Sequence, residues 1–92
     1  MTTKGRERLY NIVLKSSASK DLDKLNDPYL SKIIFAIENL KENPRNINVK
    51  KLIGRENEYT LRIGDYRVLF YIVDESKLIK ISRVLHRREA YR

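Results

Sequence analysis

The residues best spaced to do chemistry in this sequence are Arg62 and Arg67, which stand on either side of Gly64-Asp65. If Gly64 and Asp65 form the loop of a β-hairpin, Ile63 pairs with Tyr66, Arg62 with Arg67, Leu61 with Val68 and Tyr59 with Phe70. The apolar residues of both strands then share one face and the two arginines share the other. Like charges directly opposite each other on a sheet repel, so such a pair calls for a carboxylate or an anionic ligand. A guanidinium presents a planar fork of donors that matches phosphate geometry, and phosphate is the obvious candidate. The competing reading is a surface pair bonded to Asp65, Glu56 or Glu58.

Around this hairpin the chain must supply a sheet and a cover for its apolar face. Tyr59, Leu61 and Ile63 alternate with Glu58, Thr60 and Arg62, the period-two pattern of a half-buried strand. A first strand is expected over Arg8 to Lys15. Ser16 and Ser17 can cap a short helix with Ala18, Leu22 and Leu25 inward, and Asn26-Asp27-Pro28 breaks it. With Asp27 as N-cap and Pro28 at its first position, a second helix runs to about Glu42 with Leu30, Ile33, Ile34, Ile37 and Leu40 as its buried stripe. Pro44 to Glu56 has no clean period and reads as a basic connecting loop. A last strand over Leu78 to Leu85 places Val73 opposite Leu78 and Arg67 opposite Val84. That register puts Lys80, Ser82 and His86 on the arginine face and turns Arg83 toward the helices, where Asp21 or Glu38 would have to satisfy its charge. The expected fold is α+β, in the order β-α-α-β-β-β: an antiparallel sheet with a helical hairpin on one face and the charged face open.

With 92 residues, the chain is one domain over 1–92 with a single core. Twenty Lys and Arg against twelve Asp and Glu leave a net charge of +8, which points toward polyanions or an acidic protein partner. The absence of cysteine excludes disulfides, thiolate metal sites and cysteine nucleophiles, and suits a cytoplasmic location. The single His and the scattered carboxylates lack metal-ligand spacing, and no cofactor motif is present. No apolar run approaches membrane-spanning length, and the start, MTTKGRERLY, lacks the apolar segment of a secretory signal.

The combination of VKKL, then YTLRIGDYRVLFYIVD, then HRREAY resembles the RelE/ParE superfamily of toxins, most closely the RelE-like messenger-RNA endoribonucleases. The resemblance covers nearly the whole chain. Its most specific element is the R-I-G-D-Y-R-V-L-F-Y hairpin followed about twenty residues later by H-R-x-x-x-Y. It implies a toxin of a type II toxin-antitoxin system, with the same β-α-α-β-β-β order and a basic sheet face that cuts mRNA in the ribosomal A site. It also implies a cognate acidic, RelB-like antitoxin that holds the toxin inactive. In one place the chain departs from the family pattern: where RelE carries two lysines on the strand before the turn, this chain has Glu58 and Thr60, while Lys50 and Lys51 lie earlier.

Carried over position by position, the resemblance makes Arg67 the transition-state arginine, Arg62 its companion, and Arg87 and Tyr91 the arginine and tyrosine of the C-terminal motif. His86 matches a histidine that many members carry. Metal-free RNA cleavage needs a base for the 2′-OH, stabilisation of the phosphorane charge, and a proton for the leaving 5′-oxygen. Arg67 is assigned the phosphorane charge, Arg62 and Arg87 clamp the phosphate, and the base is either Tyr91 or His86. Lys50, Lys51, Arg55, Lys80 and Arg88 are read as RNA-binding charge that makes affinity salt-dependent. The alternative function is that of a ParE-like toxin, which binds DNA gyrase and cleaves no RNA.

Overall fold

The computed structural model describes residues 9–90, and Tyr91 lies outside the described residues. Alternation builds the sheet. In β3 (Glu58–Ile63) and β4 (Tyr66–Val73), Tyr59, Leu61, Val68, Phe70 and Ile72 are buried while their neighbours along each strand are not. Gly64 opens the hairpin turn at a φ of 57°, a conformation costly for residues with a Cβ. The register is the expected one throughout: Tyr59 pairs with Phe70, Leu61 with Val68, Arg62 with Arg67 and Ile63 with Tyr66.

The full order is β1 (Asn11–Leu14), α1 (Ser16–Asp23), α2 (Tyr29–Asn39), β2 (Val49–Lys51), β3, β4, β5 (Leu78–His86) and α3 (Arg87–Ala90). The five strands lie in the order β1-β5-β4-β3-β2, with β1 parallel to β5 and the other neighbours antiparallel. Two of these elements extend the expected order. The presumed loop between Pro44 and Glu56 holds β2, which starts where Asn46 Oδ1 accepts the Asn48 N–H at 2.9 Å and Asn46 O accepts that of Val49 at 3.0 Å. This local asparagine turn has no hydrophobic period, which is why the pattern did not reveal it. The second addition is α3, which follows β5 without a break.

The core lies between the sheet and the two longer helices. Ile79, Ile81 and Val84 of β5 join the buried residues of β3 and β4, and Ala18, Ile33, Ile37 and Leu40 close over them. Each such large side chain contributes roughly 1.5–3 kcal/mol on burial. Ile34, expected in the buried stripe, is 43% exposed, because the stripe of α2 is narrower than the sequence pattern suggests. Ser17 does not cap α1; its hydroxyl donates instead to Ser82 O at 2.6 Å. Asp27 does serve the first turn of α2, accepting the Ser31 N–H at 3.0 Å and its hydroxyl at 2.7 Å.

One irregularity decides what faces where. Between Leu69 and Phe70 the β4–β5 register shifts, so that Phe70 pairs with Ile81 but Leu69 pairs with Arg83, leaving Ser82 as the extra residue of a bulge. Ser82 is pinned from both sides, its Oγ donating to Leu69 O at 3.0 Å and its carbonyl accepting from Ser17. Val73 faces Leu78 as expected, but Arg67 pairs with Leu85 rather than Val84, and His86 pairs with Tyr66. One added residue reverses the side on which every later side chain falls. His86 therefore leaves the arginine face, and Arg83 moves by register to the Leu69 side. Its guanidinium still binds Asp21 of α1 at 2.8 and 3.1 Å, while Asp21 also accepts the Val84 N–H at 2.8 Å. Beyond the Leu14–Ile81 pair β1 no longer covers β5, and side chains of α1 satisfy that open edge.

Candidate functional site

On the side of the sheet away from the helices, Ile47, Asn48, Lys50, Thr60, Arg62 and Arg67 line a cleft of about 220 Å³. Its floor follows from strand pairing. Arg62 and Arg67 are cross-strand partners, and Lys50 on β2 is paired with Thr60 on β3, two residues before Arg62 on the same face. Asn48 closes the end of β2 by accepting the Arg62 N–H at 3.0 Å. Among the described residues, three cations and no carboxylate line this cleft.

Two of the three carboxylates that could have met the arginine pair, Glu58 and Asp65, bond other partners. Glu58 binds Arg55 at 3.1 Å, and the Tyr71 hydroxyl and then Arg55 hold its carboxyl below the usual range. The same contact with Glu58 raises the Tyr71 phenol above its ordinary value, so the one tyrosine on the open face of β4 is poorly suited to act as a phenolate. Asp65 faces Arg87, with a nitrogen–oxygen distance of 3.8 Å, and its carbonyl accepts the Arg87 N–H at 2.6 Å. Arg67 Nη1 donates to Gly64 O at 3.2 Å and Tyr66 O at 3.0 Å. Arg67 and Arg87, twenty residues apart in the chain, are thus both anchored to the same hairpin turn.

The remaining residues singled out in the sequence scatter. Lys80 pairs with Tyr71 on the open face, four residues along β4 from Arg67 and therefore roughly 13 Å away along the strand. Lys51 pairs with buried Tyr59 and so falls on the opposite side from Lys50, and Arg55 is bound to Glu58. Arg88 lies in α3, where its N–H is bonded to His86 Nδ1 at 3.3 Å. His86 stands on the helix side of the sheet, edge-on to the Tyr66 ring at a centroid distance of 5.3 Å. Ile47, Asn48 and Thr60 line the cleft without having been anticipated. Thr60 carried a signal, as the neutral residue alternating with Glu58 and Arg62; Ile47, 93% exposed, carried none.

A family model described as the ParE toxin of type II toxin-antitoxin system, parDE, matches residues 12–91. Toxin RelG of Mycobacterium tuberculosis is 35% identical over 86 residues, covering 90% of this chain and 97% of that protein. The RelBE2 toxin-antitoxin complex of Mycobacterium tuberculosis is similar in structure, with a TM-score of 0.73 at 33% identity over 85% of this chain and 98% of the other. The archaeal RelE-RelB complex from Pyrococcus horikoshii OT3 gives a TM-score of 0.75 at 26% identity, over 86% and 96%. Because the matched region takes in the sheet, the Arg62–Arg67 hairpin and the C-terminal motif together, the chain belongs to the ParE toxin family of type II toxin-antitoxin systems, within the RelE/ParE superfamily.

Proposed function

We propose that this toxin is a metal-independent endoribonuclease that cuts messenger RNA in the ribosomal A site and so arrests translation. The observation that carries the reading is the direct pairing of Arg62 with Arg67 on the floor of a cleft that Lys50 also lines. Guanidinium pairs at this spacing suit a phosphate whose charge grows during reaction, and a cleft lined by cations stabilises that charge.

In the proposed reaction a ribose 2′-oxygen attacks the adjacent phosphorus and the bond to the 5′-oxygen breaks. The products are a 2′,3′-cyclic phosphate and a 5′-OH. Arg67 takes the charge on the phosphorane, and Arg62 and Arg87 clamp the phosphate. Of the two candidate bases, Tyr91 and His86, the proton of the 2′-OH passes to Tyr91 in this reading, because His86 stands on the helix side of the sheet. Lys50, across from Thr60, stands on the strand next to the one where RelE carries its lysines, and it supplies the proton to the leaving oxygen. Lys80 extends the positive surface on the same face of the sheet. The natural partner in this reading is a cognate acidic antitoxin, as in the RelBE2 and RelE-RelB complexes, and the place of action is the cytoplasm, on translating ribosomes.

The test is to induce the chain in cells and map the 5′ ends of transcripts. Wild type should yield cuts within translated codons, and Arg67→Ala and Tyr91→Phe should abolish them. Unchanged cleavage in Arg67→Ala would remove the catalytic assignment. Intact mRNA accompanied by gyrase-dependent DNA breaks would move the protein to the gyrase-binding branch.

A further inference from the structure

His86 ends β5 in a row of three rings, with Tyr66 beside it at 5.3 Å and Tyr29 of α2 beyond Tyr66 at 5.8 Å. From there the backbone turns directly into α3. Two reciprocal hydrogen bonds close the turn: His86 Nδ1 accepts the Arg88 N–H at 3.3 Å, and Glu89 Oε1 accepts the His86 N–H at 3.0 Å. Counting His86 as the residue before the helix, Arg88 and Glu89 hold the second and third helical positions. This is the reciprocal arrangement of a capping box, with an imidazole nitrogen in place of the usual hydroxyl or carboxamide oxygen. The residue carried on the capped turn is Arg87, whose main chain and guanidinium both face Asp65 on the hairpin turn that also holds Arg67.

We propose that His86 is a positioning residue: its imidazole caps α3 and thereby holds Arg87 against the Gly64-Asp65 turn, within the site but without touching substrate. The nitrogen that would act as base is occupied by a main-chain donor, and the ring lies across the sheet from the Arg62–Arg67 cleft. A general base must reach the proton it removes. Asn is as good a cap as any residue and carries no base, so it separates the two roles.

The activity readout rests on the nuclease reading, so the experiment has a second arm that does not. In the first, cleavage of mRNA on programmed ribosomes is compared for wild type, His86→Asn and His86→Ala. The cap predicts that His86→Asn keeps activity within about threefold. His86→Ala should lose roughly fivefold, mostly through a raised KM, as expected when a clamp for ground and transition state alike is loosened. In the second arm, NMR hydrogen exchange of the Arg88 amide is followed in the full chain, and should be slow in wild type and His86→Asn but fast in His86→Ala. Loss of about 10²–10⁴-fold in kcat for both variants would restore His86 as a base and overturn the proposal. Equal Arg88 exchange in all three proteins would overturn it as well. If wild-type protein cuts no RNA the nuclease reading fails, and the exchange arm still decides the cap.

Discussion

Arginines at the seams between elements and arginines at the cleft are used in opposite ways. At the seams, Arg45 grips Asp74 with two nitrogens at 3.2 and 2.9 Å, lies over the Tyr59 ring and shares Asp74 with the Tyr10 hydroxyl at 2.7 Å, tying the residues just before β1 and just after β4 to the loop before β2. Arg83 grips Asp21 in the same two-toothed manner and ties α1 to the edge of β5. Each guanidinium there meets a carboxylate, and the charge is spent on holding elements in place. At the cleft Arg67 donates to two main-chain carbonyls of the hairpin turn, and Arg62 and Lys50 bond no carboxylate among the described residues. The difference teaches that an arginine's role is read from what its fork meets and not from the residue type.

The largest expected effect breaks the cleft alone. Arg67→Ala should lower kcat for mRNA cleavage by about 10²–10³-fold, the usual result of removing one donor aimed at developing charge. Its unfolding midpoint should move by little, about 0.5 kcal/mol or less. A large loss of stability with activity kept would erase the contrast between seam and cleft.

Asp21→Asn attacks a seam. It removes the charge that pairs with Arg83 and weakens the acceptor for the Val84 N–H, so urea unfolding should show a loss of about 1.5–3 kcal/mol, with cleavage by the folded protein unchanged. The pH dependence sharpens this. Burial alone would raise the Asp21 carboxyl, but Arg83 and the Val84 N–H outweigh it and hold it below the usual carboxylate range; Asp74 is lowered by Arg45 and then Tyr10. A carboxyl lowered by folding adds stability above its unfolded value of about 3.9, and that stability is lost as pH falls through the folded value. The gap between wild type and Asp21→Asn should therefore be full at neutral pH and shrink below about pH 4.

Lys50→Ala should weaken RNA binding uniformly across sequences and reduce the slope of log affinity against log salt by about 1, while leaving the unfolding midpoint in place. An unchanged salt slope would take Lys50 out of the phosphate path. Arg55→Ala is the smallest change: its pair with Glu58 is well exposed on the arginine side, so both stability and cleavage should stay within about 1 kcal/mol of wild type. A larger effect would mean that the Arg55–Glu58–Tyr71 contact belongs to the site.

The hairpin was legible because its information is local. Gly64-Asp65 sets the turn, the turn sets the register, and the register sets Arg62 against Arg67. The Arg83–Asp21 pair was anticipated from a register the structure does not adopt: Arg83 pairs with Leu69, and its guanidinium reaches Asp21 of α1 nonetheless. The register beyond Ser82 was not legible, because the bulge is stabilised by Leu69 O and the Ser17 hydroxyl, and nothing in LIKISRVLH marks Ser82 as the extra residue. The error propagated to His86, which changed sides.

Alternation and turn chemistry are short-range, and by themselves they determined the helical hairpin, the order of the later strands and the paired arginines. Only the tertiary structure decided that Lys50 enters the cleft, because its place depends on an edge strand formed by an asparagine turn and held by β3. Tertiary structure also decided that β1 runs parallel to β5 and that Arg87 meets Asp65 in the hairpin turn, twenty-two residues before it. Such contacts join segments far apart in the chain, and their geometry depends on how the elements pack rather than on any pattern within one of them.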